Sequence, residues 1–516
     1  MPKEKGDMTE YQPLLKDFKD IDRPSRFPNK SLLLAVCAAC IGGTFQYGYN
    51  VSIINAPTQS VQNFINQTWI YRYDAQITEE LLTLLWSTIV SIFTIGGLVG
   101  SLVGGTLAMR FGRKGALLLN NTFALLAALM MGISHLTGYY ELLVIGRFLS
   151  GVNAGVGMCV QPLYLGEIAP RALRGGMSMG TSIFLTGGLL IGQVIGLHEL
   201  LGKAEHWPIL LSTTCIPAVL QLLILPWFPE SPRFLLLDRG DEAACTKALK
   251  QLHGGDGYRR EMEDMEKERI SSLGVKAKKP WEVFSDRSIR WQLITVILIN
   301  SAQQLNGINA IYFYASYIFR QAGIPEDKIL YVTVGTGACE CLTALTCGML
   351  IDSLGRRALI IGGYTLMAVW CICVTITVTL QELSPWVPYI SMACVFAFIL
   401  SFGLGPGGVT NILTIELFTQ ATRPAAFMIG GSVNWLSFFF IGMVFPFIVN
   451  GLQQYCFLVF LAICSLVVIY IFFIVPETKN KTFLEIQEEF LSRDLIKKRK
   501  SEGSNGHGVN LLSMPL

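Results

Sequence analysis

The chain has 516 residues, of which 52% are apolar and only 15% charged, and its mean hydropathy is +0.47. Ordinary globular domains carry about 25% charged residues, so this composition excludes a water-soluble globular fold and suits a chain with lipid as its solvent. The net charge of +3 gives no footing for a nucleic-acid partner, and five dispersed histidines and thirteen scattered cysteines offer no metal cluster, catalytic triad or disulfide framework.

One helical crossing needs about 20 mostly apolar residues. Windows of that kind fall near 32–54, 84–109, 116–137, 141–164, 175–197, 208–228, 289–319, 330–351, 358–380, 387–412, 424–449 and 453–475. They predict an all-α integral membrane protein of about twelve transmembrane helices. The polar arm before the first window contains "EYQPLL", the form of an acidic dileucine sorting signal, with Glu10, Leu14 and Leu15 as the residues a clathrin adaptor reads. That motif raises the expectation of an endosomal pool beside the plasma membrane. Lys3, Lys5, Lys16, Lys19, Arg23, Arg26 and Lys30, then "MRFGRK", "RRAL" and "KKRK", all fall on one side after alternation. The positive-inside rule therefore puts both termini in the cytoplasm. Among the N-x-[ST] sequons only Asn66 falls in an outer loop, so it is the expected glycan site.

A charged segment, 238–287, separates six windows from six more. The expected divisions are a cytoplasmic tail over 1–30, a six-helix half over 31–237, a linker with short helices over 238–287, a second half over 288–475 and a tail over 476–516. The halves match locally. "GTLAMRFGRK" from Gly105 recurs as "GMLIDSLGRR" from Gly348, Glu167 with Arg174 recurs as Glu416 with Arg423, "PESPR" from Pro229 recurs as "PETKN" from Pro476, and Gly48 with Asn50 recurs as Gly307 with Asn309. The four offsets lie between 243 and 259 residues, in order, which reads as duplication of a six-helix unit. Halves of this kind hold a site between them near the bilayer midplane and work by rocking. Arg113, Glu167 and Arg174 of one half and Arg356, Glu416 and Arg423 of the other are then expected to pair at the inner mouth and hold it shut.

The seventh window contains "QQLNGIN", Gln303 to Asn309, and each buried amide there costs roughly 1–3 kcal/mol if left unpaired. On an unbroken helix Gln304 and Asn309 would lie about 140° apart, and they converge only if the helix unwinds at Gly307. Gln and Asn combine donor and acceptor, as a sugar hydroxyl does. Gln193, alone in the fifth window, is the expected partner from the first half, and Gln46, Tyr47 and Asn50 form a second polar cluster. The competing reading makes these amides helix glue, worth about 0.6 kcal/mol per bond. Gly405-Pro406-Gly407-Gly408 predicts a second broken helix. Glu340 is the carboxylate set well inside a span, either accepting hydroxyl bonds or sitting protonated in the packing.

"FGRK", "LGRR", "GRFLSG", "PLYLGEIAPRALRG", "GQVIGL", "PESPRFLL", "QQLNGINAIYFY", "ELFTQATRPAA" and "VPETKNKT" together resemble the facilitative hexose transporters, the glucose and fructose carriers of the sugar-porter family, over about residues 30–490. The resemblance implies the major facilitator fold in two six-helix halves, no enzymatic activity and no cofactor. It implies that Gln193, Gln303, Gln304 and Asn309 bind sugar, that the Glu and Arg motifs form the cytoplasmic gate, and that Tyr312 and Tyr314 line an outer vestibule. Tyr47, Tyr314, Asn411 and Glu340 complete the expected substrate-binding set. Departures are specific. Asn306 stands where glucose-preferring carriers have Ser, and Gly408, Val409, Thr410 and Asn411 stand where they carry Pro-x-Pro-Trp. Phe438 and Glu340 occupy places of sugar-contacting asparagines, and Phe402 replaces a histidine of the best-known fructose carriers. These leave fructose, glucose or both open, on the fructose-transporting side of the family. "FQYGYN" lacks the first-span carboxylate of proton-coupled porters, which favours uniport. A proton symporter, a carrier of another small polar solute such as urate, and a sugar sensor are the alternatives.

Overall fold

In the computed structural model, described over residues 28–170, 173–254, 258–272, 278–419, 421–479, 481, 485–490 and 492, every regular element is helical. The basic N-terminal arm with Glu10, Leu14 and Leu15, and the tail beyond 492, lie outside those residues.

The first half runs α1 (Lys30–Ile41), α2 (Thr44–Ser52), α3 (Thr58–Tyr73), α4 (Glu79–Phe111), α5 (Arg113–Thr137), α6 (Glu141–Ile168), α7 (Arg174–Ile195), α8 (Trp207–Ser212) and α9 (Cys215–Ile224). The linker carries α10 (Glu242–His253), α11 (Tyr258–Ser272) and α12 (Pro280–Ser285). The second half runs α13 (Arg290–Leu305), α14 (Ile308–Gln321), α15 (Ile329–Leu354), α16 (Arg356–Thr379), α17 (Val387–Leu404), α18 (Pro406–Leu417), α19 (Arg423–Leu452) and α20 (Cys456–Ile474).

Nine stretches among the described residues are long and apolar enough to cross a membrane. One of them, Arg423–Ile474, holds both α19 and α20 and so makes two crossings. The fifth crossing is the shorter apolar stretch Met179–Ile195, and the seventh is split between α13 and α14. The crossings therefore total twelve, as the windows predict. The chain is a multi-pass membrane protein.

Local chemistry sets the helix ends. Thr78 caps α4 by accepting from Leu81 N at 3.3 Å, with Glu79 and Glu80 in the first turn, where carboxylates complement the helix dipole. Gly112 (φ +82°) and Gly355 (φ +89°) turn the chain between α4 and α5 and between α15 and α16. The glycine stripes act as spacers: a Cβ on Gly96 would overlap the Phe148 carbonyl, so α4 and α6 pack backbone to backbone.

Between the halves, α4 lies along α19 and α7 lies along α15. Under the repeat these are one contact made twice, second crossing on eleventh and eighth on fifth. The site sits where these seams meet the broken seventh and tenth crossings.

Candidate functional site

The seventh crossing breaks midway. α13 ends at Leu305, Gly307 takes φ +101°, and α14 starts at Ile308. A Cβ on Gly307 would stand 2.6 Å from the Phe460 ring, so both backbone and space require glycine. Gly307 is the N-cap residue, and Asn306 before it folds an Asx turn at the start of the new helix, its Oδ1 accepting from Ile308 N at 3.0 Å. The asparagine that departs from the glucose carriers' serine is thus a turn-forming residue at the break.

The break turns the amides toward one another. Asn309 Nδ2 donates to Gln304 Oε1, and Gln304 Nε2 donates to Asn434 Oδ1 at 2.7 Å. Asn434 Nδ2 donates to Gln303 Oε1 at 3.1 Å, and Gln303 Nε2 reaches the Gly407 carbonyl at 3.4 Å. One amide relay therefore joins the seventh, eleventh and tenth crossings. Each side-chain amide has two donor hydrogens and two acceptor lone pairs, and the relay takes one of each from Gln303, Gln304 and Asn434, leaving the remainder for a ligand. Gly407 lies just past the second break, where α17 stops at Leu404 and α18 starts at Pro406. Asn434 was not singled out in the sequence. Its signal was one amide beside Trp435 in a 30-residue apolar helix, with partners 130 and 131 positions away.

Around the relay, Tyr47 is half-buried, stacked on Phe93 at 6.0 Å and meeting Trp435 edge-on at 5.9 Å. Trp435 Nε1 donates across the seam to Ser101 Oγ at 2.9 Å. Phe438, in the place of an expected asparagine, stacks on Phe313 with centroids 4.9 Å apart. Gln193 does reach the second half, but its Nε2 donates to Thr336 Oγ1 at 3.0 Å and not to the relay. Its Oε1 is buried without a partner. One turn along α15, the Glu340 carboxylate is buried and accepts from Thr343 Oγ1 at 3.1 Å.

Several expectations change. Gln46 is committed within the first half: its Nε2 donates to the Thr214 carbonyl at 2.6 Å, and Asn50 Nδ2 folds back on the Gln46 carbonyl. Asn411 is exposed on α18, one turn past Gly407 on the same face, and makes no hydrogen bond in the relay, while Val409, Thr410 and Leu413 are buried. Tyr312 and Tyr314 line no vestibule in this conformation. Both are buried, and Tyr314 Oη donates to the Gly442 carbonyl at 2.5 Å. The reason is closure of that end of the bundle, where Asn55 bonds the Tyr312 carbonyl, Gln62 Nε2 bonds Tyr317 Oη at 2.7 Å and Tyr331 Oη bonds Glu199. Glu199, exposed beyond the end of α7, is held below the usual carboxylate range, first by the Tyr331 hydroxyl. Asn66 lies half-buried within α3, so the expected loop is a helix there.

At the opposite, charged end each half builds the same cluster. Arg113 meets Glu167 at 2.9 Å, Ser231 Oγ also bonds Glu167, and Glu230 accepts from Lys114 N at 2.9 Å at the start of α5. Arg356 meets Glu416 at 3.0 Å, Thr478 Oγ1 also bonds Glu416, and Glu477 accepts from Arg356 N at 3.0 Å at the start of α16. These pairs were expected across the mouth, but each forms inside its own half, as this conformation has its contacts between halves toward the other end. Glu230 and Glu477 went unassigned in the sequence, although recurrence of "PES" as "PET" was their signal: they are helix-capping carboxylates. Arg174 opens α7 and its side chain lies outside the described residues. Arg423 Nη2 donates to the Phe418 carbonyl at 3.2 Å.

Arg147 of the fourth crossing is buried. Nη1 donates to the Asn50 carbonyl at 2.7 Å, Nη2 to Val90 at 3.3 Å and Nε to Ile89 at 3.4 Å, with the guanidinium 4.7 Å from the Phe93 ring centroid. Its charge is met by backbone carbonyls and an aromatic face.

Twelve crossings in two halves, seams related by the repeat, and a polar site at two helix breaks between them define a membrane carrier of the major facilitator fold. Solved structures agree on that fold: the xylose transporter XylE from E. coli in a partially occluded inward-open conformation superposes with a TM-score of 0.73 at 21% identity, over 88% of this chain and all of that one. The chain belongs to the Sugar (and other) transporter family, whose model matches residues 35–490. It is 49% identical to the human solute carrier family 2, facilitated glucose transporter member 11, over 89% of this chain and 92% of that protein. Identity with human member 5 is 45%, over 90% and 93%, and with human member 9 it is 47%, over 90% and 86%.

Proposed function

We propose that this protein is a hexose uniporter, carrying fructose, glucose or both down their gradient by alternating access. The observation that carries this reading is the half-used amide relay of Gln303, Gln304, Asn309 and Asn434 at the midpoint of the bundle. Hydroxyls match its spare donors and acceptors, and the relatives above are named as facilitated glucose transporters. Gln193 and Tyr47 contribute from the first half, Asn411 stands exposed one turn from Gly407, Tyr314 comes into reach as the end away from the charged clusters opens, and Trp435 offers a flat face to the sugar's C–H surface. Carbonyl pairing of Arg147 supports uniport, since no carboxylate among the described residues pairs with it for a proton to neutralise.

In this reading the charged end is cytoplasmic, with both tails beside it, the halves span 31–237 and 288–475, and the chain works at the plasma membrane. Glu10, Leu14 and Leu15 supply an endosomal route, and Asn66 carries a glycan on the outer side. Arg113, Glu167, Arg174, Arg356, Glu416 and Arg423 form the inner gate, and closing that mouth brings the two charge clusters together.

Uptake of labelled fructose, glucose and urate into oocytes expressing the chain tests the proposal. Hexose should enter, reach equal concentrations inside and out, and ignore protonophores. Uptake at saturating hexose should change little between pH 5.5 and 7.5. A depressed carboxylate keeps its charge until pH falls through its lowered value, so the Glu199–Tyr331 contact persists across that window. Uphill accumulation collapsed by a protonophore, or urate entry without hexose entry, overturns the reading.

A further inference from the structure

The wall formed by α7 and α15 keeps more free acceptors than donors: its threonine hydroxyls are spent, and Gln193 Nε2 retains one hydrogen. Thr336 Oγ1 donates to the Thr333 carbonyl at 2.6 Å and accepts from Gln193 Nε2 at 3.0 Å. Thr343 Oγ1 lies 2.8 Å from the Glu340 carbonyl and 3.1 Å from Glu340 Oε2. The free acceptors are Gln193 Oε1, buried without a partner, and the second oxygen of Glu340, which has no hydrogen-bond partner among the described residues. The two belong together: a Cβ on Gly337 would overlap Gln193 Oε1, and Glu340 follows Gly337 by less than one helical turn. Glu340 is only 7% exposed, and no ion pair among the described residues neutralises it. A carboxylate taken out of water this way is costly unless a proton, a cation or several donors meet it.

A hydroxyl offers such a wall one donor. An ammonium offers three and a positive charge. We propose that Glu340 and Gln193 form a donor-reading subsite that prefers an aminohexose, with its ammonium on Glu340, over the hexose bearing a hydroxyl at the same carbon. This rests on the hexose-carrier reading and adds the substrate class that this wall selects.

The test is competition against labelled hexose uptake, at pH 7.0, in cells expressing the full chain. An amine in this chemical setting titrates near the α-amino range, about 7.7–8.0, and is mostly protonated there. Glucosamine, glucose and N-acetylglucosamine are compared, and the result is read as the ratio of half-inhibitory concentrations within each variant. Glucosamine should inhibit at a roughly fivefold or more lower concentration than glucose, as one charge-assisted bond predicts, while N-acetylglucosamine, having lost the charge, gains nothing. Glu340→Gln should bring the ratio of glucosamine to glucose near one, and Glu340→Asp should keep the preference. Glucosamine no better than glucose in the unaltered chain, or a preference that survives Glu340→Gln, overturns the proposal. If Glu340→Gln fails to reach the surface, the unaltered chain and Glu340→Asp still decide. Absence of any hexose uptake by the unaltered chain would instead fail the carrier reading itself.

Discussion

"QYGYN" of the first crossing and "QLNGIN" of the seventh are the same segment of a duplicated unit, and they do opposite things. Gly48 is helical, and a Cβ there would overlap the Leu185 carbonyl, so its smallness lets α2 and α7 touch. Gly307 is left-handed, and its freedom breaks the crossing. The amides follow. Gln46 and Asn50 donate to carbonyls of their own half, their side-chain oxygens buried without partners, whereas Gln304 and Asn309 bond each other across the break and Gln304 bonds Asn434 of another crossing. Other first-half amides also donate within their half: Gln221 Nε2 donates to Ala39 O at 2.8 Å while its Oε1 accepts from Asn121 at 2.9 Å, and Asn120 and Asn153 donate to each other's backbone carbonyls at 2.9 and 3.0 Å, the Oδ1 atoms of Asn120, Asn121 and Asn153 being buried without partners. Unlike Gln193, Asn55 and Gln62, which reach across to the second half, these first-half amides donate to groups of their own half, and the second half sets its amides around a break, where the proposed function places the substrate.

Gly307→Ala should break this contrast most severely. Positive φ costs a non-glycine residue about 1–2 kcal/mol, and the methyl would stand 2.6 Å from Phe460. Relieving both means re-forming the helix, which swings Asn309 away from Gln304. Hexose uptake should fall to background in a chain still detected at the surface by biotinylation, and normal uptake would remove the break from the mechanism.

Arg356→Ala comes next. It removes the 3.0 Å pair with Glu416 from one of the two matching clusters at the charged end. Influx and efflux rates, compared in the same cells, should become unequal by several-fold, with surface copies retained. Equal rates at the parental level would reduce the arginine to a topology signal.

The smallest effect on transport is expected from Gln221→Ala. It strips a buried amide from carbonyls and from Asn121, at a cost of about 1–3 kcal/mol. Thermal stability of the detergent-purified protein should drop while the apparent KM stays within about twofold. A large KM shift with no loss of stability would mean that Gln221 also faces substrate.

Why some of this was legible in the sequence and some was not follows from the range of each interaction. The crossings come from composition over about 20 residues, and the break at Gly307 from one residue's backbone freedom beside amides that an intact helix keeps apart. Repeated Arg and Glu positions marked the charged clusters because both copies sit in short motifs. Asn434 stayed hidden since its partners are another crossing's side chains. Gln46 looked like site material because sequence does not show a Thr214 carbonyl 168 positions away accepting its amide. Tyr314 and the charged pairs depend on which end of the bundle is closed, and one sequence serves both states of a rocking carrier.

The central claim is that the amides at the seventh-crossing break read the substrate's hydroxyls, whereas Gln221 and the other first-half amides that donate to carbonyls of their own half do not. The measurement that tests it most directly is the apparent KM for hexose uptake of Gln304→Ala set beside that of Gln221→Ala, each corrected for surface copies. Loss of hydroxyl partners in a dry site predicts a KM roughly five- to a hundredfold higher for Gln304→Ala, with Gln221→Ala close to the unaltered protein. An unchanged KM in Gln304→Ala, or an equal shift in both, would contradict the account.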